Sequence, residues 1–445
     1  MPRVSPFADY LCEVSEQVRW KQARSALTAE LEAHLVDQAA AYEEHGMSVE
    51  AAHAEALRQM GDPVMVGQAL DEVHRPKAQW GALAVLVALA LAGMALQLHY
   101  MFGLGVWTLS VSQVVGFTAM GIAAAVVLHV LDCQAFLARY AWVVFGVAVG
   151  AACFIALAAD VNSYMTLWAH SAHSLTLTFP LVLALVLYAC RGRRWRGFCT
   201  VLGCAAVMAV LAAYFGDVPQ LLIMLVAVGA LMTYAIAVGW FGVARAKAAV
   251  AFVAVGVMLA AFVLATGVAY EYYRWVFALL EPGHEPFGHF FMPLFGDVAF
   301  QDAKWVGSGS VSDYYMAPAG AIPDAGQGFL TSDVYLVTSL YQVGRLPVLA
   351  FIVAVMALAA WVLVRTLRQG NRLCALCGIA VFVTIAGSAL VSLAPFAFGI
   401  VFSSSVFPLL TPGFHSVVAM ALAGVALSAL RNEQLPRAEG RLAYA

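Results

Sequence analysis

The sequence predicts an all-α polytopic membrane protein with about ten transmembrane helices, preceded by a small cytosolic helical domain. Three observations indicate this fold class. Of 445 residues, 63% are hydrophobic and only 11% are charged, against roughly 25% charged in a soluble domain. Residues 80–131 and 373–430 contain no Asp, Glu, Lys or Arg, and each run suits two membrane helices of about 20 residues. Residues 1–78, by contrast, carry 7 basic and 13 acidic side chains.

The polar segment 1–78 is predicted to form short amphipathic helices separated by helix-ending residues. Gly46 ends one helix and Ser48 caps the next. Gly61-Asp62-Pro63 then supplies a stop, an N-cap and a proline suited to the first helical position. The segment lacks the apolar core of a cleavable signal peptide, so we expect it to remain in the cytosol.

Across 7–75 this pattern resembles the permease prefix domain, or HAAS domain, of Gram-positive membrane proteins. The resemblance implies a regulatory or partner-binding module with no chemistry of its own. It rests on Phe7, Tyr10-Leu11, Glu30-Leu31, His34-Leu35, Asp37, Gly46-Met47-Ser48, Glu50-Ala51, Ala56, Met60-Gly61-Asp62-Pro63 and Leu70.

The apolar remainder, 79–432, is predicted to hold the membrane helices, and 433–445 to be a cytosolic tail. The ten expected spans lie near 80–99, 110–131, 140–159, 174–190, 198–216, 219–241, 248–269, 346–364, 373–394 and 406–430. All eight cysteines fall in the polar segment 1–78, in apolar spans or beside arginine-rich turns, and none lies in the polar loop 270–331, so we expect no disulfide framework. Cys374 and Cys377 are interpreted as small packing residues, with a redox or metal pair as the less favoured alternative.

Orientation follows from the cations in short connections, because cytosolic loops carry an excess of Lys and Arg. Both termini are therefore predicted to be cytosolic, with the long loop 270–345 outside. The predicted inner face holds Arg139, Arg191, Arg193, Arg194, Arg196, Arg245, Lys247, Arg365, Arg368, Arg372, Arg431, Arg437 and Arg441. The predicted outer face holds only Arg274, Lys304 and Arg345, against Asp160, Asp217, Glu271, Glu281, Glu285, Asp297, Asp302, Asp313, Asp324 and Asp333.

The outer loop contains enough polar material for a functional site, and structureless loops of this length are usually functional. In chain order it carries Tyr273-Arg274-Trp275, Glu281-Pro282, Gly307-Ser308-Gly309, Ser332-Asp333-Val334-Tyr335-Leu336 and Gly344. This order and spacing resemble the outer loop of the SEDS family (FtsW, RodA and SpoVE). Weaker matches are Gly216-Asp217-Val218-Pro219 and the segment from Phe407 to Ser416. The resemblance covers about 80–432 and implies the same ten-span fold in a bacterial cytoplasmic membrane.

The resemblance also implies peptidoglycan glycosyltransfer, in which lipid-linked disaccharide is polymerised for cell division, cell shape or sporulation. Asp333 matches the catalytic aspartate of the family, and its alternative role is to cap a helix. The candidate substrate-binding residues are Arg274, Lys304, Arg345, Asp217 and Ser416. Arg274 suits a diphosphate because a guanidinium can hold two phosphate oxygens, although snorkelling at the interface is an equal alternative. Asp217 lines the substrate path or caps a helix.

Cofactor and partner predictions follow from the same loop. A divalent metal ion, Mg or Mn, is expected to bridge carboxylate and diphosphate, with its ligands unknown; His284, His289 and His415 match no metal-binding spacing. The expected partners are the lipid-linked peptidoglycan precursor and a single-span transpeptidase. The net charge of -3 gives no basic field for nucleic acid.

Several positions depart from the family pattern, which leaves other functions open. Tyr341-Gln342 stands where the family has Glu-Glu, Thr176 where it has Lys, and Ser392 where an Asn is expected. One alternative is therefore a non-catalytic homologue that binds partners and is regulated through its prefix domain. A lipid-linked precursor transporter, or flippase, is another, although the spans contain few of the ionisable groups that carriers usually keep.

Overall fold

The computed structural model describes residues 6–74, 78–104, 110–131, 133–158, 174–215, 218–258, 261, 304–307, 336, 339–340, 343–398, 407–411 and 413–432. The regular structure of these residues is helical, without strands. Contacts divide the chain into two compact units. One comprises Met1–Ala78, Arg368–Asn371 and Leu430–Ala445, and the other comprises Gln79–Leu367 and Arg372–Ala429, here called the membrane unit.

The first unit contains the helices α1 (Ala8–Gln17), α2 (Lys21–Glu44), α3 (Val49–Met60) and α4 (Pro63–His74). The predicted helix caps are confirmed. The Ser48 side chain accepts a hydrogen bond from the Ala51 amide, and the Asp62 carboxylate accepts hydrogen bonds from the amides of Val64 and Met65. Gly46 and Gly61 have φ values of 90° and 91°. Phe7, Leu11, Leu35, Ala39 and Ala56 form the main hydrophobic cluster.

The membrane unit begins with α5 (Trp80–Leu104), α6 (Val111–Val130), α7 (Cys133–Arg139) and α8 (Ala141–Ala158). It continues with α9 (Phe179–Ala189), α10 (Arg194–Tyr214), α11 (Val218–Val238) and α12 (245–258). The last helices are α13 (Arg345–Arg368), α14 (Arg372–Phe398) and α15 (Phe414–Ala429). A short 3₁₀ helix, Leu430–Asn432, follows in the chain and belongs to the first unit.

The predicted membrane architecture is confirmed at the level of the fold class. Each expected span contains a helix, and six helices of the described chain are long and apolar enough to cross a bilayer. The chain is therefore an all-α polytopic membrane protein. Two details differ from expectation: the short helix α7 separates α6 from α8, and the last helix begins at Phe414 rather than near 406. The later start has a local cause, because Gly413 has φ 101° and Pro408 lies in the turn before it.

Helix α14 lies at the centre of the membrane unit. Its apolar stretch is 67% buried, and the helix packs against α9, α11 and α15. Helices α6 and α15 make an especially close pair. A Cβ atom on Gly424 would lie 2.7 Å from the Ala125 carbonyl oxygen, and one on Gly121 would lie 2.7 Å from the Met420 sulfur. Small residues at these positions let two membrane helices approach closely.

Candidate functional site

A short segment, 304–307, lies along the start of α13. The amides of Arg345 and Leu346 donate to the carbonyl oxygens of Lys304 (2.9 Å) and Trp305 (3.0 Å), and the Gly307 amide donates to the Val343 carbonyl (2.9 Å). The first amides of a helix have no partner within the helix itself. The segment therefore caps α13 and fixes its own position through the same bonds.

Gly344 makes this close approach of two backbones possible. Its φ is 100°, and a Cβ atom there would lie 2.8 Å from the Val306 Cα and 2.9 Å from the Trp305 carbonyl oxygen. Both the left-handed backbone and the missing side chain are therefore required at this position. The sequence marked Gly344 only as the end of a motif, whereas the structure gives the physical reason for it.

Two predicted substrate-binding cations, Lys304 and Arg345, are neighbours in this arrangement. Their backbones are joined by the hydrogen bond between the Arg345 amide and the Lys304 carbonyl. Lys304 is exposed, and the Arg345 guanidinium carbon lies 5.5 Å from the centre of the Trp305 ring. Two cations beside the positive end of a helix dipole form an environment suited to phosphate groups.

A buried turn, 407–411, precedes α15 and contacts α5. Phe407, Leu410 and Thr411 are each at most 2% exposed. The Gln97 side chain donates to the Leu410 carbonyl (2.8 Å), and the Thr411 hydroxyl accepts from the Phe407 amide (3.0 Å). Irregular backbone inside a membrane protein requires such internal partners because lipid offers none.

Ser416 lies in the first turn of α15, directly after this turn. Its hydroxyl donates to the Gly413 carbonyl oxygen at 2.8 Å, and the residue is 7% exposed. Its neighbour His415 is also buried, with Nδ1 2.9 Å from the Ser174 hydroxyl oxygen. The structure therefore connects the final motif to the segment that begins at Ser174, which the sequence did not relate to it.

A small cavity lies beside His415 and is lined in part by Thr384 and Ser388 of α14. Its volume is ≈ 10 Å³, close to the minimum that holds one water molecule. The Ser388 hydroxyl is buried there and has no hydrogen-bond partner among the residues that the structure describes. Sequence reasoning missed these two residues, although hydroxyl groups within an apolar span were a signal that could have drawn attention to them.

The remaining predicted site residues, Asp333, Arg274 and Asp217, lie outside the described residues. The same holds for Tyr341 and Gln342, the departures from the family motif. The catalytic role of Asp333 and the substrate-binding roles of Arg274 and Asp217 thus stay predictions. Among the described parts of the loop, the structure brings together Lys304 and Arg345, whereas Ser416 lies on the element that follows the buried turn.

For a metal ion, no group of three His, Cys, Asp or Glu side chains comes together in the portion of the chain that is described. The acidic residues of 79–432 all fall in the segments outside it. Carboxylate oxygens are the ligands that Mg and Mn prefer. The predicted metal site, with its ligands, therefore stays a prediction.

Comparison with known proteins identifies a solved structure with the same fold. No family model and no curated protein matches the chain. A solved structure does match: it describes the structural coordination of polymerization and crosslinking by a peptidoglycan synthase complex. The match has a TM-score of 0.54 and 17% sequence identity, and it covers 80% of this chain and 97% of that chain. The two chains share a fold.

Proposed function

We propose that the chain is a divergent SEDS-type peptidoglycan glycosyltransferase, which polymerises lipid-linked disaccharide at the outer face of the bacterial cytoplasmic membrane. The observation that carries the proposal is the fold shared with nearly the whole of a chain from a peptidoglycan synthase complex. The sequence supports it independently, because the loop motifs from Arg274 to Gly344 follow the order of the SEDS outer loop.

The proposed reaction joins two lipid-linked saccharides. A sugar hydroxyl of one attacks the anomeric carbon of the other, a new glycosidic C–O bond forms, and the bond to the polyprenyl diphosphate breaks. In this proposal Asp333 accepts the proton of the attacking hydroxyl, as a positioned general base. The diphosphate leaves with the bonding electron pair, so its developing negative charge requires nearby cations.

Lys304 and Arg345 are proposed to bind that leaving diphosphate, together with Arg274. Their adjacent placement at the start of α13 supports this role, since the backbone bonds of 304–307 hold both residues against one helix end. Trp305 is exposed (63%), and its ring makes a cation–π contact with the Arg345 guanidinium. Preorganised charge of this kind stabilises a transition state without reorganisation during reaction.

Two further components belong to the proposal. Loop carboxylates, Asp333 among them, would hold Mg or Mn, which would supply additional positive charge at the diphosphate. A single-span transpeptidase would be the partner, because the structure that shares the fold belongs to a complex described as coordinating polymerization with crosslinking. The first unit would then act as a prefix-type regulatory module in the cytosol.

A non-catalytic homologue is the second candidate function. Thr176, which stands where the SEDS family has a lysine, is 2% exposed, so the residue is enclosed by protein at that point. Ser416 directs its hydroxyl to the Gly413 carbonyl, a structural bond at the start of α15. These observations favour a chain that keeps the fold while its chemistry has changed, and they make an activity assay the deciding measurement.

The decisive experiment measures polymerisation of lipid-linked disaccharide by the purified full-length protein, with and without a transpeptidase partner. Asp333→Ala is expected to lower the rate by about 100-fold or more, the usual contribution of a general base. Thr331→Ala, which changes a neighbouring position of the same segment that carries no carboxylate, is the matched control and should retain activity. Unchanged polymer formation by Asp333→Ala would remove the catalytic role, and an inactive parent protein would favour the non-catalytic homologue.

A further inference from the structure

One end of the membrane unit collects arginines around two aromatic rings. The Arg191 guanidinium carbon lies 4.3 Å from the centre of the Tyr188 ring, and the Arg372 guanidinium carbon lies 5.6 Å from that of Trp240. The Tyr188 and Trp240 rings are themselves 5.8 Å apart. Arg191, Tyr188, Trp240 and Arg372 therefore form a continuous row, which we call the arginine ladder.

Backbone bonds hold the ladder in place. The Gly192 amide donates to the Trp240 carbonyl oxygen at 3.0 Å, and the Trp240 indole N–H donates to the Leu187 carbonyl oxygen at 2.9 Å. Trp240 is only 5% exposed, whereas Arg191 is exposed. The two guanidinium groups thus pack against aromatic rings whose positions are fixed. Because this packing restricts the arginine side chains before binding, less conformational entropy is lost when they bind a ligand.

The positive charge at this end is not neutralised by the described protein. Arg193, Arg194 and Arg196 lie at the start of α10, Arg372 opens α14, and neither helix has an acidic residue in its first turn. The start of a helix is already the positive end of its dipole, so cations there are unfavourable. The ion pairs in which both residues are described, Arg19–Asp71 and Arg58–Glu55, lie in the first unit.

An anion would therefore be stabilised at this end, and its surroundings indicate where the anion comes from. The arginines lie at the ends of apolar helices long enough to cross a bilayer, beside the exposed Trp195. Tryptophan and tyrosine at helix ends mark the level of the lipid headgroups, and basic groups between membrane helices bind anionic headgroups. Guanidinium groups match the oxygens of a phosphate diester in pairs.

We propose that the arginine ladder, with the neighbouring arginines of α10, binds the phosphate of an anionic membrane phospholipid. The site is separate in sequence from the loop 270–345 and does not depend on the reaction proposed there. Bound lipid would join the start of α14, the central helix, to the turn between α9 and α10. The phospholipid thus acts as a structural ligand of the membrane unit.

The proposal is tested on the full-length protein in nanodiscs or detergent, by native mass spectrometry and by lipid titration of the unfolding temperature. Phosphatidylglycerol is expected to bind and to raise the unfolding temperature, whereas phosphatidylcholine does neither. Arg191→Gln with Arg372→Gln should weaken phosphatidylglycerol binding about 30-fold, since each arginine near an anionic surface contributes about fivefold.

The matched control is Arg139→Gln with Arg365→Gln. These arginines also lie over single aromatic rings, Tyr140 at 5.9 Å and Trp361 at 5.7 Å, but outside the ladder. The control should leave binding within about twofold of the parent protein. Equal weakening by both double variants, equal binding of the two lipids, or complete competition by millimolar glycerol phosphate would each overturn the proposal. The comparison of lipids on the parent protein decides it even if a variant does not fold.

Discussion

At the scale of single residues, the segment 304–307 depends on one glycine. Gly344 combines a positive φ with contacts that leave no room for a side chain, so any replacement meets both a backbone and a steric penalty. Because the segment also caps α13, damage at this position displaces Lys304 and Arg345 together. Replacement of Gly344 would therefore impair function more than the loss of a single contact.

Gly344→Ala is expected to destabilise the protein by about 2–4 kcal/mol, adding the cost of a left-handed alanine to that of overpacking. The polymerisation rate should fall with it. Gly81→Ala in α5 is the control, because a Cβ atom there meets nothing within 4 Å and the helix gains a better helix former. Unfolding temperatures in detergent check both changes. Equal temperatures for Gly344→Ala and the parent protein would show that the segment tolerates displacement.

Local residue roles were readable from the sequence, and distant ones were not. Gly46, Ser48 and Gly61 act on residues within four positions, so their types alone predicted helix ends. Ser174 and His415 are 241 positions apart, and only the fold brings them to a hydrogen bond. For Asp333 the sequence gives a family motif, but the structure adds no geometry.

At the scale of helices, hydropathy predicted where the spans lie but not how they pair. Helices such as α6 and α15 are apolar over most of their surface, so their sequence does not identify a packing face. The pairing depends on small residues, Gly121 and Gly424, at the closest approach. Such contacts replace the hydrophobic driving force, which is absent between helices in lipid.

Gly424→Ala is expected to destabilise the α6–α15 pair by about 1–3 kcal/mol, since its added methyl group meets the Ala125 backbone. Gly116→Ala on α6 is the matched change, because a Cβ atom at that position lies in open space. Thermal unfolding in detergent compares the two variants. If Gly424→Ala proved as stable as Gly116→Ala, the two helices would have to be able to separate without cost.

At the scale of the whole molecule, the predicted orientation assigns the inner arginines and the polar loop to opposite faces of the membrane. The orientation is predicted from the number of Lys and Arg residues in each loop, which the sequence alone provides. It also fixes which compartment would supply a substrate to Asp333. The orientation is still a prediction, and labelling in cells tests it directly.

Lys304→Cys is expected to react with a membrane-impermeant maleimide added to intact spheroplasts, whereas Arg193→Cys should react only after permeabilisation. Both positions are exposed in the structure. The parent chain is the control, because its eight native cysteines set the background labelling. Labelling of Arg193→Cys in intact cells, with Lys304→Cys protected, would reverse the orientation and remove the proposed outer site.

The buried turn at 407–411 has a consequence for engineering. Its Leu410 carbonyl is satisfied by the amide of Gln97, a polar side chain within an apolar helix. A designer who ranks substitutions by hydropathy would choose leucine at position 97 as an improvement. That choice would leave the buried Leu410 carbonyl without its hydrogen bond from Gln97. The protein would therefore become more hydrophobic and less stable at the same time.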